Sequence, residues 1–131
     1  PTIATLWKIA SGLGTSFSAF FAEEAKLHEH EWAFPDDKQM KVRTIFAFQP
    51  DSCMEMLEVC LLNGHKQDSS PHGVGVIEHV LVLQGQMRVF FDNEWHELQA
   101  GDSLRFFADQ THAYEAVVNE VVFQNIICYP K

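Results

Sequence analysis

The sequence predicts a mainly β domain of the sandwich, jelly-roll or barrel type, entered through a short helical segment. Three observations carry this. From Val42 onward apolar residues recur with a period of two, β-branched and aromatic residues are enriched, and turn signals return every ~8–12 residues with no helical stretch between them. Eight short strands in succession, without crossover helices, leave only closed or two-layered antiparallel architectures. At 131 residues, 47% of them hydrophobic and eleven of them Phe, the chain can bury one sizeable core.

Residues 1–22 carry the other periodicity. Ile3, Leu6, Trp7, Ala10 and Leu13 follow the three-and-four spacing of one helix face. Thr2 is placed to cap this helix, and Gly12 and Gly14 end it. Ser16 is placed to cap a second short helix, whose Phe17, Phe20 and Phe21 pack back on the first. Helices this short do not stand alone in water, so they must dock on this domain or on a neighbour. Residues 23–41 are polar, contain Pro35 and read as a linker; the pair His28-x-His30 sits there among charges, as in a solvated segment.

The expected strands are 42–48, 54–62, 76–84, 87–92, 95–98, 102–107, 111–118 and 121–129. Asp92-Asn93 suits a tight hairpin turn and Gly85 another. The cysteines Cys53, Cys60 and Cys128 are odd in number and lie in strand-like runs, which suits buried free thiols in a reducing, cytoplasmic setting. No apolar run approaches the ~20 residues of a membrane span. A net charge of −9 repels phosphate backbones, so these residues should not hold nucleic acid themselves. The chain opens on Pro1 without an initiator Met, as a piece of a longer protein would.

Strand alternation puts Glu78, Val80 and Val82 on one face and His79, Leu81 and Leu83 on the other; His112 and Tyr114 share a face. If Glu78 and His112 both point inward, the interior gains a carboxylate and an imidazole. A buried ionised carboxylate costs several kcal/mol unless it is paired or coordinated. A divalent metal would offset that, with His72 entering from the loop before the strand. A hydrogen-bonded pocket without metal is the other reading. Arg105, between Leu104 and Phe106, is either a surface residue or the cation that receives a ligand carboxylate, and Arg43 poses the same choice. His65 and His96 lie near turns and read as solvent-facing, and Asp102 after Gly101 reads as a turn stabiliser.

His72 followed by Gly75-x-x-Glu78-x6-Gly85 resembles the first motif of the cupin family, and Gly101-Asp102-x9-His112 resembles its second. The resemblance covers residues 72–116 and, through the strand count, about 42–131. It implies a double-stranded β-helix, that is, a jelly-roll barrel, with His72, Glu78 and His112 as metal ligands. Val74 stands where the enzyme-type motif has a second histidine, and Thr111 where a proline often precedes the second-motif histidine. His79 would serve as a further ligand only through a local twist of its strand. The metals such a donor set implies are zinc first, then iron, manganese or nickel.

The segment Pro1-Thr2-Ile3-Ala4-Thr5-Leu6-Trp7-Lys8-Ile9-Ala10, with Gly12-Leu13-Gly14 and Ser16-Phe17, resembles the last two helices of an Xre/Cro-type helix-turn-helix domain. Those helices complete that domain's core and do not read bases, so no DNA-contacting residue is expected in this chain. The resemblance divides it into helix-turn-helix remnant (1–22), linker (23–41) and cupin barrel (42–131). The combination is similar to bacterial one-component regulators, in particular to sulfur-utilisation regulators. It implies a ligand-sensing barrel, a homodimer reading paired half-sites, and a small effector such as an amino acid or a sulfur compound. Glu78, His112, Tyr114, Arg105 and Arg43 are the expected effector contacts. The competing expectation is a metal-dependent cupin enzyme, an oxygenase or isomerase using the same His72, Glu78 and His112.

Overall fold

The computed structural model describes residues 2–13, 16–24, 31–32 and 36–131. Helix α1 (Ile3–Leu13) and helix α2 (Phe17–Glu24) precede nine strands: β1 (Met40–Gln49), β2 (Met54–Leu62), β3 (Lys66–Ser69), β4 (Ile77–Gln84), β5 (Gln86–Phe91), β6 (Glu94–Gln99), β7 (Ser103–Phe107), β8 (His112–Ala116) and β9 (Glu120–Cys128). A five-stranded sheet runs β1-β2-β9-β4-β7 and a four-stranded sheet runs β3-β8-β5-β6. Every pairing is antiparallel. No helix among the described residues is long and apolar enough to cross a membrane.

The period-two pattern decides which side chains meet between the sheets. Glu55, Leu57, Val59 and Leu61 point inward from β2, Glu78, Val80 and Val82 from β4, and Val121, Phe123, Asn125 and Ile127 from β9. The smaller sheet answers with Met87, Val89 and Phe91 on β5 and His112, Tyr114 and Ala116 on β8. Register aligns Glu55 with Ile127, Ile127 with Glu78, and Glu78 with Phe106, so one inward row holds two carboxylates flanking Ile127.

The expected caps are in place: Thr2 Oγ1 accepts the Thr5 N–H at 3.2 Å, and Ser16 Oγ accepts the Ala19 N–H at 3.2 Å. Ile3, Leu6, Trp7 and Ala10 are buried as the helix face predicts, whereas Leu13 is 61% exposed because α1 ends there. The helices dock on this domain. Ile3, Leu6, Trp7, Ala10, Phe17 and Phe21 belong to the same apolar cluster as the strands. The pair His28-x-His30 lies outside the described residues.

One strand was not expected. β3 (sequence KQDS) has no apolar alternation, yet Gln67 and Ser69 are buried because they face α1. Gln67 Nε2 donates to the Ala4 carbonyl at 3.1 Å, and Trp7 Nε1 donates to Ser69 Oγ at 2.6 Å. The turns fall where the sequence puts them. Asp92 and Asn93 both have positive φ (52° and 66°), as a two-residue hairpin loop requires. Gly85 has φ 85°, and a Cβ there would lie 2.4 Å from the Glu120 carbonyl oxygen. All three cysteines are free, and Cys60 is buried. Its thiol is pushed up to about 11 by burial and by the nearby Glu120 carboxylate.

Candidate metal and effector site

Glu78 is fully buried at an inward position of β4, and three groups from two segments answer it, one from the loop before β4 and two from β8. His72 arrives on the loop before β4. That loop is pinned where the His72 N–H donates to the Ala108 carbonyl at 2.9 Å and the Gly75 N–H donates to Asp109 Oδ2 at 3.1 Å. His72 Nε2 lies 2.7 Å from Glu78 Oε2, and His112 Nε2, from β8 in the facing sheet, lies 3.2 Å from the same oxygen. Tyr114, two residues further along β8, donates its hydroxyl to Glu78 Oε1. The two imidazole rings stand edge-on with centroids 5.1 Å apart.

Burial alone would push the Glu78 carboxyl up, but the charge of the nearby His112 imidazole and the hydrogen bond and charge of His72 outweigh it and hold the group well below the usual carboxylate range. Burial likewise works to lower the His112 imidazole, and the Glu78 carboxylate overrides this and raises it above 6.5. The Tyr114 phenol is raised by burial and by the Glu78 carboxylate, so it stays a neutral donor.

The donor set fits a divalent metal on an observation internal to the site. His112 Nδ1–H donates to the Gln110 carbonyl at 2.7 Å, which fixes the ring and directs Nε2 into the interior. That Nε2 is buried and, despite its 3.2 Å approach to Glu78, is not aligned in any hydrogen bond. An oriented imidazole held from behind by a backbone carbonyl, facing a carboxylate and a second imidazole, is how proteins present ligands to zinc and its neighbours. The candidate donor atoms of His72, Glu78 and His112 all lie within 4.8 Å of one another.

The remaining expected contacts are placed elsewhere. His79 lies on the outer face of β4, where its Nδ1–H donates to the Ile126 carbonyl at 3.3 Å; the strand is regular at this point, so no twist brings it to Glu78. Arg105 pairs in register with His79 and is exposed on the same outer face, because its neighbour Phe106 takes the inward position opposite Glu78. Arg43 also faces outward, bound to Glu58 at 3.0 Å with its guanidinium 5.0 Å from the Trp32 ring centre. Neither arginine is brought to the interior. Val74, at the position of the absent motif histidine, is 87% exposed. Of the turn histidines, His96 is not free in solvent but stacks on Phe91 at 3.9 Å, while Asp102 stabilises its turn by accepting the Gln99 N–H at 2.9 Å.

Sequence reasoning missed two inward polar residues. Asn125, on β9, is fully buried with its side-chain amide unpaired among the described residues. Glu55, on β2, is fully buried and accepts the Phe17 and Ser18 N–H groups at 3.0 and 2.7 Å and the Tyr129 hydroxyl. Both stand in apolar alternating runs, and that parity was the available signal.

Residues 57–123 match the cupin domain family. Over its whole length the chain is 38% identical to the HTH-type transcriptional regulator SutR of Escherichia coli K12, of which it covers 74%. It superposes along its full length on the crystal structure of an HTH_3-family transcriptional regulator from Vibrio cholerae, with a TM-score of 0.86, 57% identity and 74% of that chain covered. The cupin domain of an XRE-family transcriptional regulator from Enterobacter cloacae matches 70% of the chain and 98% of its own, with a TM-score of 0.68 and 33% identity. The chain therefore belongs to the cupin family and, within it, to the helix-turn-helix transcriptional regulators that carry a cupin barrel.

Proposed function

We propose that the barrel is the effector-sensing part of a transcriptional regulator and that His72, Glu78 and His112 hold a divalent metal, zinc before iron, manganese or nickel. The observation that carries this reading is the buried, carbonyl-oriented Nε2 of His112, which faces Glu78 without a hydrogen bond. A metal bound there supplies a Lewis acid with positions left for a donor atom of a small anionic effector, such as an amino acid or a sulfur compound. Tyr114 would orient that effector through its hydroxyl. DNA contact is assigned to residues outside this acidic chain, and paired half-sites call for a homodimer working in the cytoplasm. In this reading α1 and α2 are the end of the DNA-binding unit, and a change at the site alters how they pack. The effector shifts DNA affinity only so far as it binds two packings unequally.

Enzymatic turnover suits the site less well. The relatives matched along the whole chain are transcriptional regulators, and Val74 stands where the enzyme-type motif carries a second histidine.

The test is thermal shift with added Zn²⁺, followed by a panel of amino acids and small thiols on the metal-loaded protein. Wild type should be stabilised by Zn²⁺ and further by one class of the panel. The Glu78→Gln/His112→Ala double variant should stay folded and lose both shifts. A double variant that keeps the full shift sinks the assignment.

A further inference from the structure

We propose that Glu55 is a positioning residue that ties α2 to the barrel so that Phe17 reports the occupancy of the metal site; this rests on the reading of that site given above. Glu55 lies two strands from Glu78 on the same inward row, with Ile127 between them. A fully buried carboxylate needs an answer to its charge, and here three donors give it: the N–H groups of Phe17 and Ser18 in the first turn of α2, and the Tyr129 hydroxyl. The cap of this helix therefore comes in part from a strand 37 residues away. A second tether lies beside it, where Ser18 Oγ accepts the Phe48 N–H of β1 at 3.0 Å.

Phe17 belongs to both carboxylate systems. Its backbone is held by Glu55, and its ring stands edge-on to the His72 imidazole with centroids 5.4 Å apart. The same ring packs at 4.5 Å on Trp7, which in turn stands edge-on to Tyr114 at 5.9 Å, and Tyr114 donates to Glu78. Two packed routes thus run from Glu78 to the helices, one through His72 and Phe17 and one through Tyr114 and Trp7. Because α2 cannot slide while Glu55 holds its first turn, a reorientation of His72 is met by the Phe17 ring rather than absorbed by drift of the helix. Glu55 is the pivot and Phe17 the lever.

Hydrogen–deuterium exchange of the α2 amides, with and without Zn²⁺, tests this alongside calorimetric Zn²⁺ titration. In wild type, Zn²⁺ should change α2 exchange by about tenfold. In Glu55→Gln, whose amide cannot accept all three donors, Zn²⁺ affinity should stay within about threefold of wild type while α2 exchanges quickly whether or not Zn²⁺ is present. Phe17→Leu keeps the backbone tether and removes the ring contact; it should bind Zn²⁺ and keep α2 protected but unresponsive. If Glu55→Gln fails to fold, Phe17→Leu alone decides. The proposal is overturned if wild type binds Zn²⁺ with no change in α2, or if either variant retains the full response. If wild type binds no Zn²⁺, the metal reading falls and takes this proposal with it.

Discussion

A carboxylate at an inward strand position has to be answered by protons or by a cation, and at Glu78 the answering groups are His72, His112 and Tyr114. In protein kept in a chelator the shifts fix a stability window. Glu78 is held below its ordinary 4.5, so the stability it contributes is present above that value and lost as pH falls through its folded-state range. His112 is raised above 6.5, so its contribution is complete below 6.5 and lost as pH climbs through its folded-state value. Urea midpoints of the metal-free protein should therefore be highest between about pH 4.5 and 6.5 and fall on both sides. The Glu78→Gln variant should flatten both slopes, and an unchanged profile would remove the pair from the stability account. At this scale the sequence was legible through parity alone. Glu78 and His112 announced themselves as polar residues on apolar faces, whereas the choice between surface and interior for Arg105 stayed open until register set Phe106 opposite Glu78.

Among elements, β3 and the turn after β4 show what local signals can and cannot say. Gly85 was readable because a left-handed turn asks for glycine, and the structure adds a second reason: its Cα lies against the Glu120 carbonyl of the neighbouring strand. Gly85→Ala combines backbone strain with a 2.4 Å clash and should cost about 2 kcal/mol or more in chemical denaturation. A loss under half that would mean the turn relaxes freely. β3 was not readable, because its inward residues are Gln and Ser and their partners lie on α1, some sixty residues earlier. Trp7→Phe leaves the buried Ser69 hydroxyl without its indole donor and should cost about 1–2 kcal/mol, a fall of roughly 4–8 °C in Tm. The double variant with Ser69→Ala should recover part of that loss; if it recovers none, the hydrogen bond is not the cause.

Across the whole molecule, helices and strands share one apolar cluster. The chain should then unfold in a single transition, with the fluorescence of Trp7, read in a Trp32→Phe/Trp95→Phe variant, and the far-UV signal of the strands coinciding in urea. Two separated transitions would mean that residues 2–24 behave as an independent unit. The alternating pattern, the turn residues, the helix caps and the polar residues on apolar strand faces are properties of neighbours along the chain, so the sequence by itself determined the strand-rich class, most element boundaries and the candidacy of His72, Glu78 and His112. Only the tertiary structure decided that Glu55 and Glu78 share a row, that Phe17 bridges the first turn of α2 and His72, and that Arg43 and Arg105 face away. Those relations depend on register between distant strands and on how helices dock. A shift of one residue sends every side chain of a strand to the opposite face, and no local pattern records which register the packed core selects.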